Sequence, residues 1–147
     1  MTAKLEIRNS KLAQNGHDPV RDFSDLNAWK LARQLRQRIY DLTKKFPAEE
    51  KHVLAAQIKR AALSVTSNIA EGFGRFSYQE NLQFCRQARG STFEVRDQLT
   101  AALDAGYITE TLWQETDSLA QRTIQVINGY LRSTKALQAS AQETRRK

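Results

Sequence analysis

Residue types that break or cross-link a helical fold are scarce in this chain of 147 residues. Cys85 is the only cysteine, which excludes an intrachain disulfide and favours a reducing compartment such as the cytoplasm. Proline occurs twice and glycine six times, so few positions interrupt a helix. No apolar run approaches the roughly 20 residues that a membrane-spanning helix needs. We therefore expect a cytoplasmic, helical protein without a membrane partner.

Four segments carry the apolar repeat of an amphipathic helix, at residues 25–45, 48–71, 78–105 and 109–137. Because the connections between them are short, the sequence predicts an all-α protein, an antiparallel up-down-up-down four-helix bundle over residues 23–138. Residues 1–22 show no sustained period and are predicted to form a flexible N-terminal arm, unless a partner orders them. Residues 139–147 are predicted to form a frayed, basic C-terminal tail.

Polar residues and glycines mark where these helices begin and end. Ser24, Ser77 and Thr109 are predicted N-caps, and Ser77 opens a capping box that Glu80 closes. Gly72 and Gly74 are predicted to end the second helix, because glycine adopts positive φ at little cost. A third glycine, Gly90, lies inside the third helix, where either a close contact between helices or simple tolerance explains it.

Positive charge is concentrated on the first helix. The net charge of the chain is +7, and residues 24–46 alone contribute +4. Such an excess attracts polyanions, although it also serves solubility. The predicted nucleic-acid-binding residues are Lys30, Arg33, Arg36 and Lys44. Arg33 and Arg36 share a stripe with Trp29 and Tyr40, which either stacks on bases or packs against a neighbouring subunit and the edge of the core.

A second apolar stripe on the fourth helix predicts self-association. It lies about 100° from the core-facing stripe of that helix, which is too wide an arc for one bundle core to bury. Since the chain offers no further element to cover it, a second copy is the expected partner. The predicted oligomer-interface residues are Trp113, Ile124 and Leu131.

Motifs that carry catalysis are missing from the sequence. There is no Ser/His/Asp order, no cluster of metal ligands and no phosphate-binding loop. Glu49 and His52 match half of a di-iron motif whose second half is lacking. Glu71 and Glu94 could form an acid–base pair, but a structural role is favoured for both. We therefore expect a protein that is not an enzyme and uses no metal or cofactor.

Several short motifs resemble one family along residues 23–135. They are Phe23-x-x-Leu26, Phe46-Pro47, Gln57-x-x-Arg60, Ser67-Asn68-Ile69-Ala70-Glu71-Gly72, Gly90-Ser91-x-x-Glu94 and Gly106-Tyr107-Ile108. With these spacings the chain resembles the bacterial 23S rRNA-intervening sequence proteins, which are four-helix bundles. The resemblance implies a ring-like homo-oligomer, expected to be a pentamer. It also implies kinship with accessory proteins of diversity-generating retroelements, basic bundles that bind nucleic acid and a reverse transcriptase.

The resemblance supplies no catalytic residues, but it matches a set of polar ones. Arg60, Asn68, Glu71 and Glu94 fall on the family motifs. We expect them to form hydrogen bonds at the junction of the second and third helices or at a subunit contact. The expected function is that of an oligomeric protein that binds RNA or DNA through the first helix. The alternative is a scaffold for a partner enzyme, such as a reverse transcriptase, without direct nucleic-acid binding.

Overall fold

Four helices account for almost all of the part of the chain that the computed structural model describes, residues 19–147. They are α1 (Asn27–Thr43), α2 (Leu54–Phe73), α3 (Tyr78–Asp104) and α4 (Glu110–Arg146), and this range contains no strand. Each helix packs against the next, and α1 also packs against α4, which closes the bundle. The predicted all-α four-helix bundle is confirmed. Most of the predicted N-terminal arm lies outside the described residues.

The core consists of two apolar clusters, one towards each end of the bundle. The first surrounds the end where α2 turns into α3 and includes Val20, Ile69, Leu82 and Ile127. The second lies towards the α1–α2 and α3–α4 connections and includes Ile39, Ile58, Leu99 and Leu119. All four helices contribute to both clusters, as the amphipathic repeat predicts, so the fold rests on burial of these stripes.

The first helix begins later than the sequence indicates, because a short 3-10 helix at Phe23–Asp25 precedes it. The carboxylate of Asp25 accepts hydrogen bonds from the backbone N–H groups of Arg21 and Asp22, both at 3.0 Å. These bonds lower the pKa of Asp25. Ser24 therefore does not cap α1 as predicted; its hydroxyl donates to the Asp22 carboxylate at 2.8 Å.

A second 3-10 helix, Ala48–Glu50, takes the place of the first turn predicted for the second helix. Val53 has φ −115° and ψ −99°, outside helical geometry, so α2 begins only at Leu54. The Glu50 carboxylate links the start of α2 to the α3–α4 connection. It accepts from the Leu54 N–H at 3.1 Å and from the Tyr107 hydroxyl at 3.1 Å. The α1–α2 and α3–α4 connections are thereby held together at one end of the bundle.

The glycines at the α2–α3 reversal do not act through positive φ, which corrects the prediction. Gly74 has φ −74°, and the positive-φ glycine in the described part of the chain is Gly106, at 76°. Gly72 is needed for close approach instead: a Cβ there would lie 2.8 Å from both Asn81 Oδ1 and Phe84 Cβ. Gly90 has open space around its missing Cβ, so no close helix contact explains it.

The side-chain caps predicted for α3 and α4 are present. The Ser77 hydroxyl accepts from the Glu80 N–H at 3.3 Å, and the Thr109 hydroxyl accepts from the Leu112 N–H at 3.1 Å. The end of α4 differs from the prediction, because the helix continues to Arg146 rather than stopping near Leu137. Gln138 contacts Gln79 near the start of α3, and residues of the last turns of α4, among them Ala141 and Arg145, line a concavity with Phe76 and Tyr78 beside the α2–α3 connection.

The second apolar stripe of α4 is buried by the chain itself. Ile124 and Leu131 are only 8% and 4% exposed, and Ala120, one turn before Ile124, is fully buried. Trp113 is half-buried, and its indole N–H donates to the Thr100 hydroxyl at 3.4 Å. The prediction that Ile124 and Leu131 lie in an oligomer interface is therefore wrong, because α1 and α3 cover both sides of α4 at these positions. For the half-buried Trp113 the interface role stays a prediction.

Candidate nucleic-acid interface

The half of the bundle made by α1 and α2 carries most of the positive charge. Residues 27–73 contain nine lysines and arginines against four acidic residues, a net +5 of the chain's +7. No acidic residue occurs between Asp25 and Asp41, or between Glu50 and Glu71. We call the outward flank shared by the two helices the α1–α2 surface, formed by Lys30, Arg33, Arg36, Tyr40 and Lys44 of α1 and Lys59 of α2.

Two contacts show that the flanks of α1 and α2 form one continuous surface. The Arg36 guanidinium donates to the Thr66 hydroxyl at 2.9 Å, which joins the helices near their middles. Further along, the Lys59 ammonium lies over the Tyr40 ring, 6.0 Å from its centroid. Helical spacing puts Trp29, Arg33, Arg36 and Tyr40 on the same side of α1. The stripe predicted from the sequence therefore borders α2.

The remaining predicted cations are exposed on this surface. Lys30 and Arg33 lie on the solvent side of α1. The Arg33 guanidinium sits 5.8 Å from the centroid of Trp29, whose ring packs edge-on against Phe23. This stacking holds the guanidinium in place and leaves its N–H edge to solvent, the geometry in which arginine grips phosphate or stacks on a base.

A concave site lies at the end of the α1–α2 surface, where the two helices are connected. Its volume is about 430 Å³. Its lining residues include Tyr40, Phe46 and three lysines, Lys44, Lys51 and Lys59, and no acidic residue. We call this site the basic pocket.

The lysines of the basic pocket make no strong ion pair among residues 19–147. Asp41 approaches Lys44 at 3.5 Å, but both side chains are about three-quarters exposed, so the pair is weak. The Glu50 carboxylate accepts hydrogen bonds from the Leu54 N–H and the Tyr107 hydroxyl rather than from a lysine. The hydrogen bond from Tyr107 raises the pKa of Tyr107, with desolvation adding to the effect. The three lysines are therefore free of strong partners that an anion would have to displace.

Two of the three pocket lysines, Lys51 and Lys59, were missed by the sequence analysis. Charge was summed along each helical segment, and the segment containing α2 sums to zero. Its acids lie at its two ends, at positions 49, 50 and 71, whereas Lys59 lies between them on the flank that borders α1. Counting charge around the helix rather than along it would have revealed the basic flank.

The polar residues matched to the family motifs lie along the opposite flank of α2 and on α3. The Asn68 side-chain amide donates to the Ser64 carbonyl and hydroxyl at 2.8 and 2.9 Å, and Ser64 bonds Ser91 of α3 at 2.9 Å. Asn68 thus supports a bridge between α2 and α3 through Ser64. Its amide makes no direct bond to α3.

The charged members of this motif set do not bond across the helix junction. Glu71 pairs with Arg75 at 3.0 Å, and both are about half exposed. Glu94 accepts from Gln98 of the same helix at 3.1 Å. Arg60 is exposed and makes no hydrogen bond or ion pair with any residue from 19 to 147. The expected charged network between the second and third helices is therefore absent from this part of the chain.

Two arginines outside the α1–α2 surface form ion pairs that link helices. Arg38 reaches Glu115 of α4 at 3.6 Å. Arg96 of α3 makes a two-point contact with Asp117 of α4, at 2.8 and 3.3 Å. Desolvation raises the pKa of Asp117, but the hydrogen bonds from Arg96 and Gln121 outweigh it and leave the pKa lowered. These ion pairs link α1 and α3 to α4 within the bundle.

The described range contains neither a cluster of metal ligands nor a helix that could cross a membrane. Residues 19–147 bring together no group of three or more histidine, cysteine or acidic side chains that could hold a metal ion. His52, half of the di-iron motif considered above, lies exposed before α2. None of the helices in this range has the length and apolar character needed to cross a bilayer. The α1–α2 surface and its pocket remain the best candidate site.

Comparison with known proteins shows which family the chain belongs to. The family model described as 23S rRNA-intervening sequence protein matches residues 24–129. The chain belongs to this family. The match confirms the resemblance seen in the sequence, and it covers all of the α1–α2 surface and the basic pocket.

One solved structure illustrates the fold of this 23S rRNA-intervening sequence protein. It is a crystal structure from Bacteroides thetaiotaomicron, described as a protein with unknown function from the S23 ribosomal protein family. It is 20% identical and aligns with a TM-score of 0.66 over 71% of this chain and 97% of its own. At that identity the likeness shows the fold alone. Among proteins of curated function, none matches the chain.

Proposed function

We propose that this protein is a non-enzymatic nucleic-acid-binding protein that contacts RNA or DNA through the α1–α2 surface. The observation that carries the proposal is that the Arg36–Thr66 bond joins two helix flanks rich in lysine and arginine into one basic surface, on which the Tyr40 ring is exposed. Basic grooves with interleaved aromatic side chains follow a phosphate backbone and stack its bases without reading sequence. A cytoplasmic location agrees with such a ligand.

Homo-oligomeric assembly belongs to the same proposal. One chain offers only a few phosphate contacts, so a single copy binds weakly at physiological salt. A ring of copies, with a pentamer as the expected form, repeats the surface and gains affinity through effective concentration. Light scattering at micromolar protein tests this part: a mass of one chain at all concentrations contradicts it, whatever the nucleic-acid result.

The decisive experiment is a salt titration of binding to labelled single-stranded RNA, single-stranded DNA and duplex DNA, followed by fluorescence anisotropy. We expect affinity to vary little with sequence. The logarithm of the binding constant should fall linearly with the logarithm of salt concentration, by about 0.7–0.9 per phosphate contacted. No binding at low salt contradicts the proposal and leaves the scaffold function, the docking of a partner enzyme, as the alternative.

A pair of double variants assigns the binding to the surface. Arg33→Glu with Lys59→Glu reverses two charges on the α1–α2 surface and should reduce the affinity at least tenfold at low salt. Arg122→Glu with Lys135→Glu makes the same change in net charge at exposed positions of α4. If both pairs lose affinity equally, binding follows net charge alone and the surface assignment is wrong. Circular dichroism and oligomer mass check that each variant stays folded and assembled.

A further inference from the structure

The basic pocket closes one end of the α1–α2 surface. The groove between two consecutive antiparallel helices ends at their connection, and here that connection passes through Phe46, Pro47 and Ala48, which line the pocket. A strand lying along the groove cannot continue straight through this turn. We propose that the basic pocket binds the phosphorylated end of a nucleic-acid strand, an inference that rests on the proposed function.

The charge of the pocket fits a terminal phosphate better than one inside a strand. Three lysines, Lys44, Lys51 and Lys59, are among its lining residues, and no acidic residue is. A phosphodiester inside a strand carries one negative charge, whereas a terminal phosphomonoester carries about −1.5 to −2 at neutral pH and offers three acceptor oxygens. A pocket lined by three lysines can pair with this additional charge and acceptor oxygen.

The rings of the pocket suit the nucleotide that bears this phosphate. Tyr40 is 40% exposed, and Lys59 lies 6.0 Å from its ring centroid, so one face of the pocket combines an open ring with a cation. A base stacked on such a ring brings its own phosphate within reach of the lysines. The volume of about 430 Å³ lies within the range of small-molecule sites, roughly 300–1,000 Å³. The pocket therefore has room for a single nucleotide.

The test compares three forms of one short single-stranded DNA oligonucleotide: with a 5′-phosphate, with a 3′-phosphate and with hydroxyl groups at both ends. The fluorophore is placed internally, so that both ends stay free. We expect one phosphorylated form to bind the full-length protein on the order of tenfold more tightly than the hydroxyl form. The preference should shrink on acidification below the second phosphate pKa of about 6, because the terminal phosphate then loses its second negative charge.

Two matched variants locate the preference. Lys51→Gln removes one pocket lysine and should weaken binding of the phosphorylated form severalfold more than it weakens binding of the hydroxyl form. Lys135→Gln removes the same charge from an exposed position of α4 and should leave the preference intact. Circular dichroism verifies that both variants are folded. A preference that survives Lys51→Gln overturns the assignment to the pocket.

The outcomes separate this inference from the function on which it rests. If all three oligonucleotides bind equally, with the salt dependence expected above, the α1–α2 surface stands and the end-binding pocket is wrong. If none binds at low salt, both fail together. If only the phosphorylated forms bind measurably, the pocket rather than the long surface is the main binding determinant.

Discussion

The guanidinium of Arg36 and the hydroxyl of Thr66 are 2.9 Å apart, a hydrogen bond that links α1 to α2 beneath the basic surface. Thr66 is only 2% exposed, and its hydroxyl also donates to the Leu63 carbonyl at 3.0 Å. Arg36 therefore contributes to the packing of α1 on α2, whereas Arg33 on the same stripe faces solvent. The two arginines, which the sequence analysis treated alike, differ in what they contribute.

Thr66→Val tests the structural side of this arrangement. The substitution keeps the shape of the side chain and removes the hydroxyl that accepts from Arg36. One Arg36 N–H must then bond water instead. We expect the free energy of unfolding in urea to fall by about 1–2 kcal/mol. Affinity for nucleic acid should change less than twofold, because the guanidinium stays on the surface. A large loss of affinity with unchanged stability would show that the bond orients Arg36 for binding.

Asp117→Ala and Glu71→Ala should differ widely in their effect on stability. Asp117 is 5% exposed and accepts two hydrogen bonds from Arg96. Its removal therefore leaves the partly buried Arg96 guanidinium without this carboxylate. We expect a loss of about 2–3 kcal/mol in chemical denaturation. Glu71 is about half exposed and pairs with Arg75 one turn away, so its loss costs about 0.5 kcal/mol or less. Equal losses would contradict this ranking.

The regular features of the fold could be predicted from the sequence, because they depend on local periodicity and caps. The apolar repeats of the four helices and the caps at Ser77 and Thr109 involve residues within a few positions of each other. The interruption at Val53 and the close approach at Gly72 depend instead on distant partners. Glu50 bonds Tyr107, and Gly72 meets Asn81 and Phe84, and neither contact has a signal in the local sequence.

The sequence predicted the chemical character of the candidate site but not its position on the bundle. The basic helix and its aromatic stripe were visible, yet the sequence could not show that this stripe borders the flank of α2 that carries Lys59. The prediction of an interface at Ile124 and Leu131 failed for a related reason. The arc that one helix buries depends on how its two neighbours flank it, and here Ile124 and Leu131 both lie inside the bundle.

Gly72→Ala and Gly90→Ala are the same substitution in two different environments. At Gly72 the added Cβ would lie 2.8 Å from two atoms of α3, so α2 and α3 must separate. We expect a loss of about 1–3 kcal/mol. At Gly90 the Cβ meets nothing within 4 Å, and alanine favours the helix, so stability should rise by about 0.5–1 kcal/mol. A loss at Gly90 in the assembled protein would reveal a partner packed against that position.

The Asp117 carboxylate should make stability depend on acid pH in a specific direction. Its pKa in the folded protein lies below the ordinary value of 3.8, because the bonds from Arg96 and Gln121 outweigh its desolvation. A group with a lowered pKa stabilises the fold fully above its ordinary pKa and loses that contribution as the pH falls through the folded value. Asp117→Asn removes the titration while it keeps the size of the side chain.

Urea unfolding of the wild type and of Asp117→Asn, at neutral pH and at successive values below about 4, measures this contribution. The wild type should be the more stable protein at neutral pH, because the Arg96 guanidinium then faces a full negative charge. The difference should narrow as acid protonates Asp117, since a neutral carboxyl group binds Arg96 no better than an amide does. A difference that stays constant down to the acid limit would mean that Arg96 and Asp117 contribute through packing rather than through charge.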